Sequence, residues 1–156
     1  MRGVSDTSPL CYLVLIGEIH IVPELFTGIV IPPAVRHELA DPESPAEVRE
    51  WIAAPPSWLS VREPTAVSED PELRRLDPGE RDAIALAEEL STDLLLLDDW
   101  KAREVARARG LPITGLVGIL DIAVERSLVD AATAVERLRA TNFRVSDHLL
   151  EMLLRY

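Results

Sequence analysis

The chain has 156 residues, with 16 Lys and Arg against 27 Asp and Glu, for a net charge of −11. Hydrophobic residues make up 47% and charged residues 28%, a globular composition, and the acidic balance argues against a general nucleic-acid coat protein. One cysteine, Cys11, excludes a disulfide framework within the chain, and no leader or membrane-length apolar run is visible, so a reducing cytoplasm without a membrane partner is expected.

A short first strand is expected to end at Asp6, followed by a helix with Ser8 as N-cap and Pro9 at its first position. Residues 18–26 read as a second helical segment that Pro23 makes irregular. Ile29-Val30-Ile31 is a second strand, stopped by Pro32-Pro33, and Pro33 opens a helix over 34–40. Residues 45–54 predict another helix, and 58–62 alternate like a half-exposed third strand. Residues 63–76 are polar and contain two prolines, which predicts a mobile loop or a loosely helical insert.

The clearest helix runs from Asp77-Pro78-Gly79-Glu80 to about Leu90. After it comes Leu94-Leu95-Leu96-Leu97-Asp98-Asp99, an unbroken apolar run that predicts a central parallel strand buried on both faces. A basic helix over 101–109, a brief fifth strand at 112–114 and helices over 116–126, 131–140 and 146–155 complete the chain. Strands alternating with helices predict an α/β fold on a parallel sheet of four to five strands. The chain is expected to form one domain over 1–156, with a core at about 3–120 and a helical tail at about 121–156. The tail either covers one side of the sheet or meets a partner, and its leucines at 149, 150, 153 and 154 read first as core.

Asp6 and Asp98 end the first and fourth predicted strands. Neighbouring parallel strands lie about 4.8 Å apart, which allows both carboxylates to share one metal at the strand ends, where open α/β sheets bind ligands. Glu80 falls on the apolar face of its helix with Ala83, Ile84, Ala87 and Leu90, aimed inward; its other reading is a capping box with Asp77. Glu38 follows the second strand, either on an inner face or as an exposed acid beside Arg36 and His37. Asp99 is a metal ligand, a supporting group or an N-cap for the next helix. Ser8 and Thr114 are supporting candidates that hydrogen-bond a carboxylate or a bound water, or else simple caps and strand ends.

Clustered acids are costly unless a cation neutralises them. Oxygen-only donors select Mg²⁺ or Mn²⁺, and His20, His37 and His148 have no zinc spacing. No Ser-His-Asp, Cys-His, Walker or Gly-x-Gly-x-x-Gly pattern is present, which leaves metal-assisted chemistry at a phosphate.

With these residues in place the chain resembles the PIN-domain family of Mg²⁺-dependent ribonucleases, which includes toxins of toxin–antitoxin pairs. The resemblance rests on Asp6 in Asp6-Thr7-Ser8-Pro9-Leu10, Glu38 after the second strand, the Pro78-Gly79-Glu80 helix start and Leu96-Leu97-Asp98-Asp99-Trp100-Lys101-Ala102-Arg103. Its motifs look like those of an uncharacterised, toxin-like PIN subfamily, and the resemblance covers roughly residues 3 to 120. It implies a three-layer α/β/α fold and an Mg²⁺/Mn²⁺-dependent endoribonuclease with Asp6, Glu38, Glu80 and Asp98 as catalytic acids. RNA, a small antitoxin and a second copy of the chain are the implied partners. Glu80 departs from the aspartate that many members carry, but still supplies oxygen ligands. Lys101, Arg103 and Arg36, with Arg107, Arg109 and Arg74-Arg75 nearby, are candidate phosphate contacts or solvated helix faces. The rival function is a non-catalytic PIN-like module that binds RNA or protein. A receiver-type signalling domain fits less well, since its acid pair normally ends the first strand and here only Asp6 does.

Overall fold

In a computed structural model of the chain, residues 1–66 and 68–155 are described. Five short strands are present: β1 (Arg2–Ser5), β2 (Gly28–Ile31), β3 (Leu59–Val61), β4 (Leu94–Leu96) and β5 (Ile113–Thr114). They form one parallel sheet in the order β3-β2-β1-β4-β5. The chain winds outward from β1 through β2 to β3, then returns to place β4 on the other side of β1. The winding direction therefore reverses between β1 and β4, and a crevice opens beyond the carboxyl ends of these two strands.

The helices are α1 (Thr7–Leu15), α2 (Val22–Leu25), α3 (Pro33–Leu39), α4 (Ala46–Ala53), α5 (Pro71–Arg74), α6 (Pro78–Leu90), α7 (Trp100–Ala108), α8 (Leu116–Glu125), α9 (Ala131–Arg139) and α10 (Asp147–Leu153). Among the described residues no single helix is long and apolar enough to cross a membrane. The sheet separates two apolar cores. Ile29, Ile31 and Leu96 face the larger, with side chains from α1–α4 and α8–α10; Val4, Leu95 and Leu97 face the smaller, with α5, α6 and α7. Successive side chains of β4 thus enter opposite cores, which is why its leucine run has no polar alternation. The result is a three-layer α/β/α fold.

Several local readings shift. The first helix starts at Thr7, two residues earlier than an N-cap at Ser8 predicts, and its N-cap is Asp6, whose side chain makes no cap hydrogen bond. The segment at 18–26 splits at Pro23 into a 3₁₀ turn (Ile19–Ile21) and α2. Within 63–76, the helical option holds for α5: Asp70 accepts from Glu72 N–H and the side chain of Leu73 is fully buried. Val67, in the same stretch, lies outside the described residues. The C-terminal helices are integral to the larger core through Leu150 and Leu153, while Leu149, Met152 and Leu154 are exposed. Cys11 is half-buried, packed against that core.

Leu95 is fully buried in the central strand, so Leu95→Ala is expected to cost ~2–5 kcal/mol in urea-induced unfolding. Val61→Ser, on the exposed side of edge strand β3, is expected to stay within about 1 kcal/mol of the parent in the same measurement.

Candidate active site

Beyond β1 and β4 lies an open cleft of about 540 Å³ lined by Asp6, Glu38, Asp77, Glu80, Asp98 and Asp99. Parallel pairing puts Ser5 opposite Leu96, and the Asp6 amide donates to the Leu96 carbonyl at 3.0 Å. Asp6 and Asp98 consequently leave adjacent strand ends together. Asp6 is buried and its Oδ1 has no hydrogen-bond partner; Oδ2 of Asp98 is buried and unpartnered as well.

The opposite wall is the start of α6, held close by Gly79. A methyl group on Gly79 would come within 2.6 Å of Glu38 Oε1 and 3.2 Å of Asp6 Oδ1. Only a residue without a side chain lets the helix approach both carboxylates. Glu38, near the end of α3, is exposed along its flank while its carboxylate tip takes a 2.5 Å hydrogen bond from the Thr7 hydroxyl. A second glycine, Gly115, performs the same service for Asp98: a methyl group there would meet Asp98 Oδ1 at 2.5 Å. The close approach lets the Leu116 amide donate to that oxygen at 2.8 Å.

Glu80 combines both of its sequence readings. It is buried and lines the cleft, and it also completes a capping box: its backbone N–H donates to Asp77 at 2.9 Å and its carboxylate accepts from the Asp77 N–H at 3.3 Å. Asp99 caps α7 through a 3.0 Å bond from Ala102 N–H while still lining the cleft. Ser8 is not a cap; its side chain stands close enough to Asp98 to favour the ionised carboxylate. Thr114 lies outside the cleft, its hydroxyl lodged against Gly118 of α8.

The predicted cations are largely elsewhere. Arg103 reaches the Leu97 carbonyl at 2.9 Å and stands close enough to Asp98 to favour its ionisation. Lys101 faces the opposite side of α7, beside Asp70 and Glu104, and Arg36 does not line the cleft. Arg109 is held by Asp70 and Glu88, and Arg75 by Glu72, so neither reaches the acids. The sequence reading missed four contributors. Asp77 was visible only as a cap, while Tyr12, Asn142 and Arg144 come from segments with no local signal. Tyr12 donates to Asn142 at 2.6 Å on the cleft wall, and Arg144 lines the cleft without a hydrogen bond or ion pair among the described residues.

The acids are in electrostatic conflict. Burial, reinforced by Asp77, Glu38 and Asp98, pushes Asp6 up to about 7. Burial followed by the charges of Asp77, Asp99 and Asp6 takes Glu80 up to about 8. Asp98 is raised by burial against the opposing pull of the Leu116 amide, Ser8 and Arg103; Glu38 is raised by burial against the bond from Thr7. The donor set is entirely oxygen, with two buried carboxylate oxygens lacking any partner, and this fits a hard divalent cation. As they stand, no three His, Cys, Asp or Glu side chains among the described residues are arranged to hold a metal ion.

A model of the family DUF3368, described as a PIN domain, matches residues 2–156. No curated protein and no solved structure matches the chain.

The raised acids fix a stability prediction. Unfolded, Asp6 and Glu80 ionise at ordinary carboxylate values; folded, they hold their protons to about pH 7 and 8. The folded state therefore binds more protons between about pH 4 and 8, and stability falls as pH rises through that window. Thermal unfolding in EDTA should show Tm declining from pH 5 to pH 8.5. Asp6→Asn should flatten the decline and raise Tm at pH 8 by about 2–4 °C for each kcal/mol of repulsion relieved. A steeper decline in that variant would refute the conflict at Asp6.

Proposed function

Because the chain belongs to the PIN-domain family, we infer that it is a metal-dependent ribonuclease that hydrolyses phosphodiester bonds at the cleft between β1 and β4. PIN domains are generally nucleases, a hydrolase class that typically uses divalent metals. The observation that carries the finer reading is the pair of buried, unpartnered carboxylate oxygens on Asp6 and Asp98 within a wall of further acids.

In this reading Asp6, Glu80 and Asp98 hold Mg²⁺ or Mn²⁺, with Glu38, Asp77 and Asp99 completing the negative wall. A metal held there would supply water activation and charge stabilisation at the phosphate. The chain's own residues do the rest. The Leu116 amide fixes the rotamer of Asp98, and Ser8 beside it favours the ionised form. Thr7 fixes Glu38, and the capping box fixes Glu80 and Asp77. Arg144, unpaired among the described residues at the rim, is positioned to meet a substrate phosphate. A toxin-type role, with a small antitoxin and a second copy of the chain as partners, extends the same reading.

Purified protein should cleave single-stranded RNA in Mg²⁺ or Mn²⁺ and lose the activity in EDTA. Asp6→Asn and Asp98→Asn should each lower kcat/KM by at least ~100-fold with the fold intact, and Asp77→Asn should lower it too. Cleavage that persists unchanged when Asp6 and Asp98 are both Asn would favour the non-catalytic binding module.

A further inference from the structure

A second cavity, of about 500 Å³, lies beside the acidic cleft, between α7, α8 and the C-terminal segment. The two share Asp98, Phe143 and Arg144, so they form one continuous surface. Their chemistry differs. The second cavity is lined by Val117, Leu149 and Met152, with Trp100 and Phe143 supplying aromatic rings. Trp100 is 66% exposed although it opens a well-packed helix, so folding alone does not account for it. Arg103 and Arg144 flank the boundary with the cleft, the arginine-bearing side of an otherwise acidic centre. Asp121 also lines the space, held by Arg155, whose Nη2 lies 3.2 Å from Oδ1 and donates to Oδ2 at 3.2 Å.

We propose that this cavity is a nucleobase subsite, which takes an unstacked base of a single-stranded RNA whose neighbouring phosphate lies over the acidic cleft. The inference rests on the ribonuclease reading for the placement of that phosphate. A base offers two π faces for Trp100 and Phe143 and a polar edge. Asp121 is held by Arg155, but a carboxylate only accepts, so any contact it makes to the base edge is with an N–H donor, of which guanine offers two side by side. Arg103 and Arg144 then face the phosphates on either side of the inserted base. A paired base cannot enter, which restricts the substrate to single strands, loops or ends. Continuity with the cleft and the two arginines favour RNA over an apolar protein segment, which would need neither.

The test is tryptophan emission of the full chain carrying Asp6→Asn, which stops turnover, titrated in Mg²⁺ with short guanine-containing oligoribonucleotides and with the same strands made abasic at one internal position. Base-bearing strands should quench emission. Affinity should fall ~10-fold on addition of Trp100→Ala, with the quench lost, and also on addition of Leu149→Glu at the exposed lip. The abasic strand should bind as weakly to the parent as the intact strand does to Trp100→Ala. Trp51 and Trp58, packed against each other with ring centroids 5.9 Å apart and planes tilted by 42°, report that both variants remain folded. Equal binding of intact and abasic strands, unchanged affinity in both variants, or no quench by any base-bearing strand would overturn the subsite. Cleavage by the unsubstituted chain is scored apart. Base-dependent quenching without any cleavage would sink the ribonuclease reading and leave the subsite standing, whereas cleavage without base dependence would do the reverse.

Discussion

The carboxylate of Asp6 sets the terms for the rest of the molecule. It is buried at the end of a central strand, one oxygen has no partner, and three other acids raise the cost of its charge. A lone buried carboxylate is relieved by a proton or by a cation. A proton satisfies Asp6 only up to about pH 7. Above that, Asp6 and its neighbours repel one another. The cleft thus gathers carboxylates whose charge is costly there, as the raised Asp6 and Glu80 show.

The fold manages this conflict with backbone rather than with basic side chains. Asp6, Asp77 and Asp99 occupy the N-cap positions of α1, α6 and α7, and the first amide of α8 donates to Asp98. Four helices thus direct their positive ends at one crevice, each offering partial charge and free amides to an anion. The arrangement follows from the parallel sheet, because every strand-to-helix turn emerges on the same side and the winding reverses between β1 and β4. Gly79 and Gly115 complete it by letting two of these helix starts touch the acids. Helix dipoles soften the repulsion but do not abolish it, as the direction of the shifts at Asp6, Glu80 and Asp98 shows.

How far this was legible in the sequence depends on the range of the signal. The leucine run at 94–97 reports its two-sided burial directly, and the periodicity of α6 sends Glu80 inward without further information. Asp77 was hidden because its capping pattern already explained it; a cap at the mouth of a cleft does two things with one carboxylate. The glycines beside Glu80 and before Leu116 were a local signal left unread, since a glycine next to a candidate acid implies a close approach. Lys101 and Arg103 were grouped by proximity in sequence, but two residues on a helix are about 200° apart, so they face different cavities. Tyr12, Asn142 and Arg144 meet only because the C-terminal segment folds back over α1, a contact between residues 130 apart that no window of sequence contains.

That fold-back also bears on how a chain of net charge −11 would hold RNA. Long-range steering by the whole protein is unfavourable, so attraction has to be local and short-ranged. The acids line one part of the crevice, and the arginines at 103 and 144 with the ring of Trp100 line the part next to it. In the proposed ribonuclease reading, a cation on the acids would reverse the sign where a phosphate sits, leaving the aromatic and apolar wall to contribute contacts that do not depend on charge. Binding built this way loses less affinity with added salt than binding spread over many lysines, because few phosphates are neutralised by side chains. On the proposed reading the acidic surface would work as a filter: strands that cannot seat a base beside the acids would find little else to hold them.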